Sequence, residues 1–121
     1  MSKTFQVARL LLGLIFVVFG LNGFYTFIPI PSLHPFMQIL VSSGYIYFIK
    51  LVELAGGILL LVNRAVVLAL VLLGADIANI IAYHLLLDHR IWFVAPVLAV
   101  LYAITFLGNW PQLKLIFRWR A

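Results

Sequence analysis

Long apolar runs separated by short polar interruptions dominate the pattern of this chain. Four runs, at about 5–27, 44–62, 65–87 and 91–109, each have the roughly 20 residues that are needed to cross a bilayer core. We therefore predict an all-α membrane protein with four transmembrane helices, which form a single domain over residues 1–121. The first run is longer than the roughly 7–15 residues of a signal-peptide core and lacks an A-x-A cleavage pattern, so we expect it to be retained.

The connections between the runs predict how the helices are arranged. The second and third connections, 63–64 and 88–90, are short, and short links join antiparallel neighbours. The fold predicted from them is an up-down-up-down bundle.

The first connection is longer and differs in composition. Pro29 and Pro31 end the first helix, because proline removes a backbone donor and restricts the residue before it. The segment 32–43 that follows contains no Asp, Glu, Lys or Arg. We expect a short interfacial helix from about 35 to 41 in this outer connection, with a loop as the alternative.

Composition agrees with this pattern and excludes several classes of protein. Of the 121 residues, 66% are apolar and 9% are charged, whereas ordinary soluble domains carry about 25% charged residues. The net charge is +5, but the basic residues lie at helix ends and no polar surface presents them to nucleic acid, so we expect contact with anionic lipid instead. Without cysteine, the chain has no disulfide, thiol redox centre or thiolate metal site.

The distribution of Lys and Arg predicts the orientation. If the N-terminus lies inside, six basic residues lie at cytoplasmic ends, whereas Lys50 and Arg90 lie on the outer side. The six are Lys3, Arg9, Arg64, Lys114, Arg118 and Arg120. Because Lys and Arg are concentrated on the cytoplasmic side of membrane proteins, we predict a multi-pass membrane protein with both termini cytoplasmic.

One face of the first helix combines an arginine with small residues. Its members, at spacings of 4, 3, 4 and 3, are Arg9, Gly13, Phe16, Gly20 and Gly23. At 100° per residue they lie within about 40° of one line. Glycines on a line let another backbone approach closely, so we predict that Gly13, Gly20 and Gly57 lie at helix–helix contacts. Arg9 ends this face near the inner surface; the alternative is that it snorkels to lipid phosphates.

The second helix carries a stripe with two opposite charges. It consists of Lys50, Glu53, Gly57, Leu60 and Arg64. Lys50 and Glu53 are neighbours on this stripe and can neutralise one another. A charge at the centre of a membrane helix costs at least about 2.5–3.5 kcal/mol and marks a functional site by default. The structural alternative is an ion pair that fixes helix register.

The third helix places polar groups at a matching depth. Asp76, Asn79 and Tyr83 share one face, and His84 lies about 80° to one side. Since the second helix descends while the third ascends, both bring polar groups to the outer half of the bundle. We predict one shared polar cavity lined by Lys50, Glu53, Asp76 and Asn79, with Tyr83 and His84 at its mouth.

The candidate residues favour binding over catalysis. Haem is disfavoured, because His34 and His89 lie in outer connections and His84 alone lies in a span. Glu53, Asp76 and His84 offer oxygen and imidazole ligands, but single ligands without a Glu-x-x-His pair do not predict a metal site. We find no redox or hydrolase signature and expect no enzymatic activity of the chain on its own. The pattern is typical of a pocket for an amphipathic ligand with a polar head, such as a quinone or a lipid.

Three motifs now stand out. They are Arg9-x3-Gly13-x2-Phe16-x3-Gly20, Lys50-x2-Glu53-x2-Gly56-Gly57-Ile58-Leu59-Leu60, and Asn79 followed by His84. Together they resemble the DoxX-like family of small bacterial membrane proteins, over about residues 5–107. The resemblance implies a four-helix integral membrane protein. The family is named after a small subunit associated with terminal quinol and thiosulfate–quinone oxidoreductases, and relatives of similar size act as accessory or assembly factors. A Lys common in the family three residues after Gly20 is absent here, where Gly23 stands, and Lys50 is its candidate substitute.

The residues and the resemblance together predict a small accessory subunit or factor of an inner-membrane complex, quinone-linked or other. Its pocket for quinone or lipid would lie in the outer half of the bundle. The alternative is a small transporter or permeation unit for an amphipathic molecule. The expected partners are the lipid bilayer and other membrane proteins or further copies of the chain, and nucleic acid is not expected.

Overall fold

A computed structural model describes residues 2–25, 35–87 and 93–116, and every regular element in these ranges is an α-helix. The helices are α1 (Lys3–Phe24), α2 (Pro35–Ser43), α3 (Tyr45–Val62), α4 (Val66–Leu86), α5 (Val94–Gly108) and α6 (Trp110–Leu113). Three of them, α1, α3 and α4, are long and apolar enough to cross a membrane. The prediction of an all-helical protein is therefore confirmed for the described residues, and three of the helices have the length and composition that a membrane span requires.

The helix bounds differ from the predicted spans mainly at the ends. The first helix starts two residues earlier than predicted, and its described part ends at Phe24. The described part of α5 has 15 residues, or about 22 Å at 1.5 Å per residue, which is less than a bilayer core of about 30 Å. A helix is present at the predicted place in the first connection, although α2 extends to Ser43.

Several predicted features lie outside the described residues. These are Pro29, Pro31, His34, Asp88, His89, Arg90, Arg118 and Arg120, together with the predicted start of the fourth span at 91. The predictions made for them stand as sequence predictions.

The four longest helices contact one another in a ring. The first helix packs on α3 and α5, and α4 also packs on α3 and α5, while α2 contacts α3. Large apolar side chains fill the space inside the ring and are fully buried. They include Leu12, Phe16, Leu60, Leu70, Leu73 and Leu98. Many other leucine and valine side chains are exposed on the outside, as expected where a helix faces lipid.

The tightest contact in this ring joins α1 and α3 through glycine. A Cβ at Gly57 would lie 2.8 Å from the carbonyl oxygen of Gly13 and 2.9 Å from the amide nitrogen of Val17. A Cβ at Gly20 would lie 3.0 Å from the backbone nitrogen of Leu54. Because the neighbours are backbone atoms, the two helices could not keep this distance with larger residues. The structure thus places Gly13, Gly20 and Gly57 at one helix–helix interface.

A capping motif and an arginine complete the end of α3. Asn63 adopts a left-handed conformation with φ of 57°, and its N–H donates to Leu60 O while that of Arg64 donates to Leu59 O, as in a Schellman motif. The Nη1 of Arg9 on α1 also donates to Leu60 O. A cation at the C-terminal end of a helix interacts favourably with the helix dipole. Arg9 is buried at 8% exposure, so it ties α1 to α3.

The remaining contacts of the ring also depend on glycine. The Tyr102 hydroxyl of α5 donates to Leu70 O of α4 over 2.7 Å, passing Gly74, where a Cβ would lie 2.6 Å from that hydroxyl. At the far end of α5, Phe5 of α1 packs on Gly108, where a Cβ would lie 2.7 Å from Phe5 Cγ. These contacts bring the N-terminal end of α1 beside the C-terminal end of α5.

The glycine interface makes a stability prediction. We expect Gly57→Leu to lower the free energy of unfolding by about 1–3 kcal/mol or more, because overpacking forces the backbones of α1 and α3 apart. Ala55→Leu is the matched control, since Ala55 is exposed two residues earlier on the same helix. Thermal unfolding in detergent, followed by circular dichroism, measures both. Equal losses in the two variants would contradict the interface.

Candidate functional site

The centre of the site is an ion pair within α3. Lys50 Nζ lies 3.0 Å from Glu53 Oε1, and the exposed fractions of the two side chains are 22% and 3%. The pair forms because residues three apart share a face of a helix. Glu53 stands near the middle of α3, so the pair lies deep within the apolar stretch rather than at its end.

Gly23 of α1 gives Lys50 its place. A Cβ at Gly23 would overlap Lys50 Cγ and would lie 2.6 Å from Lys50 Cδ. The aliphatic stem of Lys50 therefore crosses the surface of α1 at the one position on this turn that has no side chain. Any larger residue at this position would displace the stem, so Gly23 positions Lys50 for its contact with Glu53.

The fourth helix adds a second carboxyl group at the same depth. Leu73 of α4 packs on Gly56, where a Cβ would lie 2.7 Å from Leu73 Cγ. One turn further along α4, Asp76 is close enough to Glu53 for a side-chain hydrogen bond and also interacts electrostatically with Lys50. Glu53 lies beside Asp76 and Gly56 lies beside Leu73, so the residue numbers rise along α3 while they fall along α4. The two helices therefore run antiparallel and bring both carboxyl groups to the same depth.

The two carboxyl groups have spare acceptor capacity. Asp76 Oδ2 is buried and accepts no hydrogen bond from the described residues, and the buried Glu53 Oε1 has only its ion pair with Lys50 Nζ. A hydrogen bond between two carboxyl groups requires a proton on one of them, so their mutual contact supplies at most one donor. The single ammonium of Lys50 serves this whole cluster. A donor from outside the described chain would complete it, because buried polar oxygens are normally hydrogen-bonded.

The structure does not place Asn79 with these three residues. Asn79 is exposed, and its Nδ2 donates to the carbonyl oxygen of Ala75, 3.0 Å away on its own helix. The acidic cluster that the structure shows consists of Lys50, Glu53 and Asp76.

Tyr83 and His84 lie further toward the end of α4 and contact aromatic or backbone groups. His84 Nδ1 donates to Ile80 O over 2.9 Å, and its ring meets that of Tyr83 edge-on at 5.4 Å. Tyr83 also faces Phe36 of α2, with ring centroids 5.9 Å apart. This contact joins α2 to α4 at the end of the bundle beyond Asp76.

The same end carries further aromatic contacts. Phe24 of α1 stacks on Tyr47 of α3 at 5.7 Å, and Tyr45 meets Phe48 at 6.0 Å. Aromatic rings with polar tips suit the interfacial region of a bilayer.

Sequence reasoning missed the polar residues of α5. Thr105 and Asn109 are buried, with Thr105 Oγ1 donating to Leu101 O and Asn109 Nδ2 donating to Thr105 O, both over 2.9 Å. With Tyr102 they follow spacings of 3 and 4, a signal that marks one helix face. Both side chains donate to backbone carbonyl oxygens of their own helix, so their hydrogen bonds are made within that helix and not with the acidic cluster.

The comparisons do not identify a family for this chain. In the part of the chain that the structure describes, no three His, Cys, Asp or Glu side chains are grouped so that they could hold a metal ion. No family model matches the sequence, and neither the curated proteins nor the solved structures give a match. The functional argument therefore rests on the geometry of the acidic cluster.

The ion pair makes the second prediction. We expect Lys50→Met to destabilise the protein by about 3–5 kcal/mol, because it leaves the Glu53 carboxylate buried without a cation. The double variant Lys50→Met/Glu53→Leu should recover most of this loss in thermal unfolding in detergent. Lys114→Met is the control, since Lys114 is an exposed lysine. If the double variant is as unstable as the single one, Lys50 does not act through Glu53.

Proposed function

We propose that the chain is a DoxX-like protein that forms a four-transmembrane-helix, up-down-up-down bundle in a bacterial inner membrane. The ring of contacts among α1, α3, α4 and α5 and the antiparallel course of α3 and α4 support this arrangement. The fourth crossing would combine α5 with residues before Val94. The short interfacial helix of this proposal is α2, which contacts α3 and has no buried residue.

The orientation is testable by reporter fusion. We expect both termini in the cytoplasm, because six of the eight Lys and Arg residues lie at the ends that would face it. A reporter active only in the cytoplasm should work when fused at residue 1 or 121. The matched control is the same reporter inserted after Ser43, at the end of α2, where it should be silent. Activity at Ser43 together with silence at both termini would reverse the orientation.

For its function, we propose that the protein is a small accessory subunit or factor of a membrane complex that binds a quinone-like amphipathic ligand. The observation that carries the proposal is the cluster of Lys50, Glu53 and Asp76, in which the buried Asp76 Oδ2 accepts no hydrogen bond from the described residues and the buried Glu53 Oε1 has only its ion pair with Lys50. Hydroxyl groups of a quinol would donate to these oxygens, and the Lys50 ammonium would donate to a carbonyl of the oxidised form. Ionisable groups inside membrane helices commonly mark such sites.

The surroundings of the cluster support a ligand with an apolar body. The Phe24–Tyr47 pair joins the C-terminal end of α1 to the N-terminal part of α3, and the Phe36–Tyr83 contact joins α2 to α4. Both contacts lie beyond the cluster. A flat aromatic head fits beside such rings, because aromatic groups prefer offset or edge-to-face contacts. The extensive exposed apolar surface provides room for neighbouring membrane proteins as well as lipid.

The decisive experiment is purification in mild detergent followed by mass spectrometry of bound quinones, lipids and proteins. We expect the native chain to retain a quinone and one or more membrane partners. Glu53→Gln should lose the quinone, because it changes one acceptor of the cluster into an amide. Asn79→Ala is the control, since Asn79 bonds to its own helix and should retain the ligand.

The outcomes separate the alternatives. Loss of quinone in both variants would place Asn79 in the site and contradict the three-residue cluster. Absence of any quinone, combined with uptake of an amphipathic molecule into vesicles by the isolated protein, would favour the small transporter instead. Retention of quinone by Glu53→Gln would reject the proposed site.

A further inference from the structure

We propose that the protein binds one anionic phospholipid in a groove between α1 and α5, at the opposite end of the bundle from the Phe24–Tyr47 and Phe36–Tyr83 ring contacts. The groove has a volume of about 360 Å³ and is lined by Lys3, Thr4, Val7 and Leu11 of α1 and by Leu101 and Ile104 of α5, with Ala8. This site is separate from the acidic cluster, so the proposal stands independently of the quinone.

The groove opens at an end of the bundle where the charged residues are basic. We call this the basic end and define it by Lys3, Arg9, Arg64 and Lys114. Two contacts bring these residues to the same end of the bundle. Arg9 donates to Leu60 O near the end of α3, just before Arg64, and Phe5 packs on Gly108 near the end of α5, a few residues before Lys114.

No acid balances these charges within the described ranges. The two acidic residues there, Glu53 and Asp76, belong to the cluster with Lys50 near the middle of their helices. Arg9 is buried and directed toward α3, whereas Lys3 is exposed at the groove. The exposed Lys3 would attract an anionic headgroup placed in the groove, with a contribution of about 1 kcal/mol for a basic residue beside the headgroup.

The lining of the groove changes from polar to apolar along α1. Lys3 and Thr4 lie at the start of the helix, and Val7 and Leu11 follow one and two turns later on the same side. From Lys3 to Leu11 the helix rises about 12 Å at 1.5 Å per residue. A molecule with a negatively charged head and a long apolar chain matches this order.

The two-part chemistry identifies the occupant as a phospholipid rather than a free anion or a second helix. A free phosphate would leave the apolar part of the groove empty. A transmembrane helix would bury Lys3 and Thr4 without supplying a negative charge. The phosphate group of phosphatidylglycerol can accept hydrogen bonds from Lys3 and from the Thr4 hydroxyl, while one acyl chain lies along Val7 and Leu101.

The test is native mass spectrometry of the full chain released from nanodiscs of equimolar phosphatidylglycerol and phosphatidylethanolamine. We expect one retained phosphatidylglycerol in preference to phosphatidylethanolamine. Lys3→Gln should lower this preference about fivefold, which corresponds to about 1 kcal/mol. Lys114→Gln is the matched control, because it removes the same charge from the basic end outside the groove lining and should change the preference less than about twofold.

A second pair of variants tests the apolar part. Val7→Trp should fill the groove and abolish retention, whereas Leu14→Trp, on the same helix outside the lining, should leave it intact; both residues are about half exposed, at 53% and 51%. Unchanged melting temperatures would show that all four variants fold. Equal effects of Lys3→Gln and Lys114→Gln, retention of both lipids without preference, or a polypeptide adduct displaced by Val7→Trp would each overturn the proposal.

Discussion

The close contact between Gly13 of α1 and Gly57 of α3 is the constraint on which the polar contacts of the bundle depend. At one end of this interface Arg9 reaches a carbonyl oxygen of α3, and at the other the stem of Lys50 crosses Gly23. Both contacts require the helix backbones to lie nearly in van der Waals contact. Inside a bilayer no water replaces a lost partner, so a small separation of α1 and α3 would leave the Arg9 guanidinium without its carbonyl and would remove the packing of the Lys50 stem on α1.

The charges of this interface are satisfied in two different ways, and the difference separates structure from function. Arg9 meets a backbone carbonyl at the C-terminal end of α3, where the helix dipole favours a cation and no carboxylate is required. Lys50 instead interacts with both Glu53 and Asp76; Asp76 Oδ2 accepts no hydrogen bond from the described residues, and Glu53 Oε1 has only its ion pair with Lys50. Arg9 Nε has no hydrogen-bond partner among the described residues, but the Nη1 of Arg9 joins two helices, whereas the cluster has an acceptor left over that is suited to a ligand. For this reason we assign Arg9 to packing and the acidic cluster to binding.

Helical periodicity predicted the stripes well, because spacings of 3 and 4 fix which residues share a helix face before any partner is known. The close approach at Gly13, Gly20 and Gly57 and the Lys50–Glu53 pair follow from such spacings. Periodicity could not say which face meets which helix, and it grouped Asn79 with Asp76 although Asn79 bonds to its own backbone. It also gave no reason to single out Tyr102, whose partner is a carbonyl of another helix. Contacts to backbone groups leave no signature in the residue types of the partner.

The difference in exposure within the cluster indicates how a ligand would reach it. Glu53 is 3% exposed and Lys50 is 22% exposed, so the cluster is open on the Lys50 side. That side faces the end of the bundle where α2 contacts α3 and where Phe36 of α2 meets Tyr83 of α4. A ligand head approaching Glu53 from this end would pass α2, whose own residues are not buried and whose displacement would expose little apolar core. In the proposed function, the ligand head therefore reaches the acceptors past α2, while the glycine interface of α1 and α3 holds α1 against the helix that carries Lys50 and Glu53.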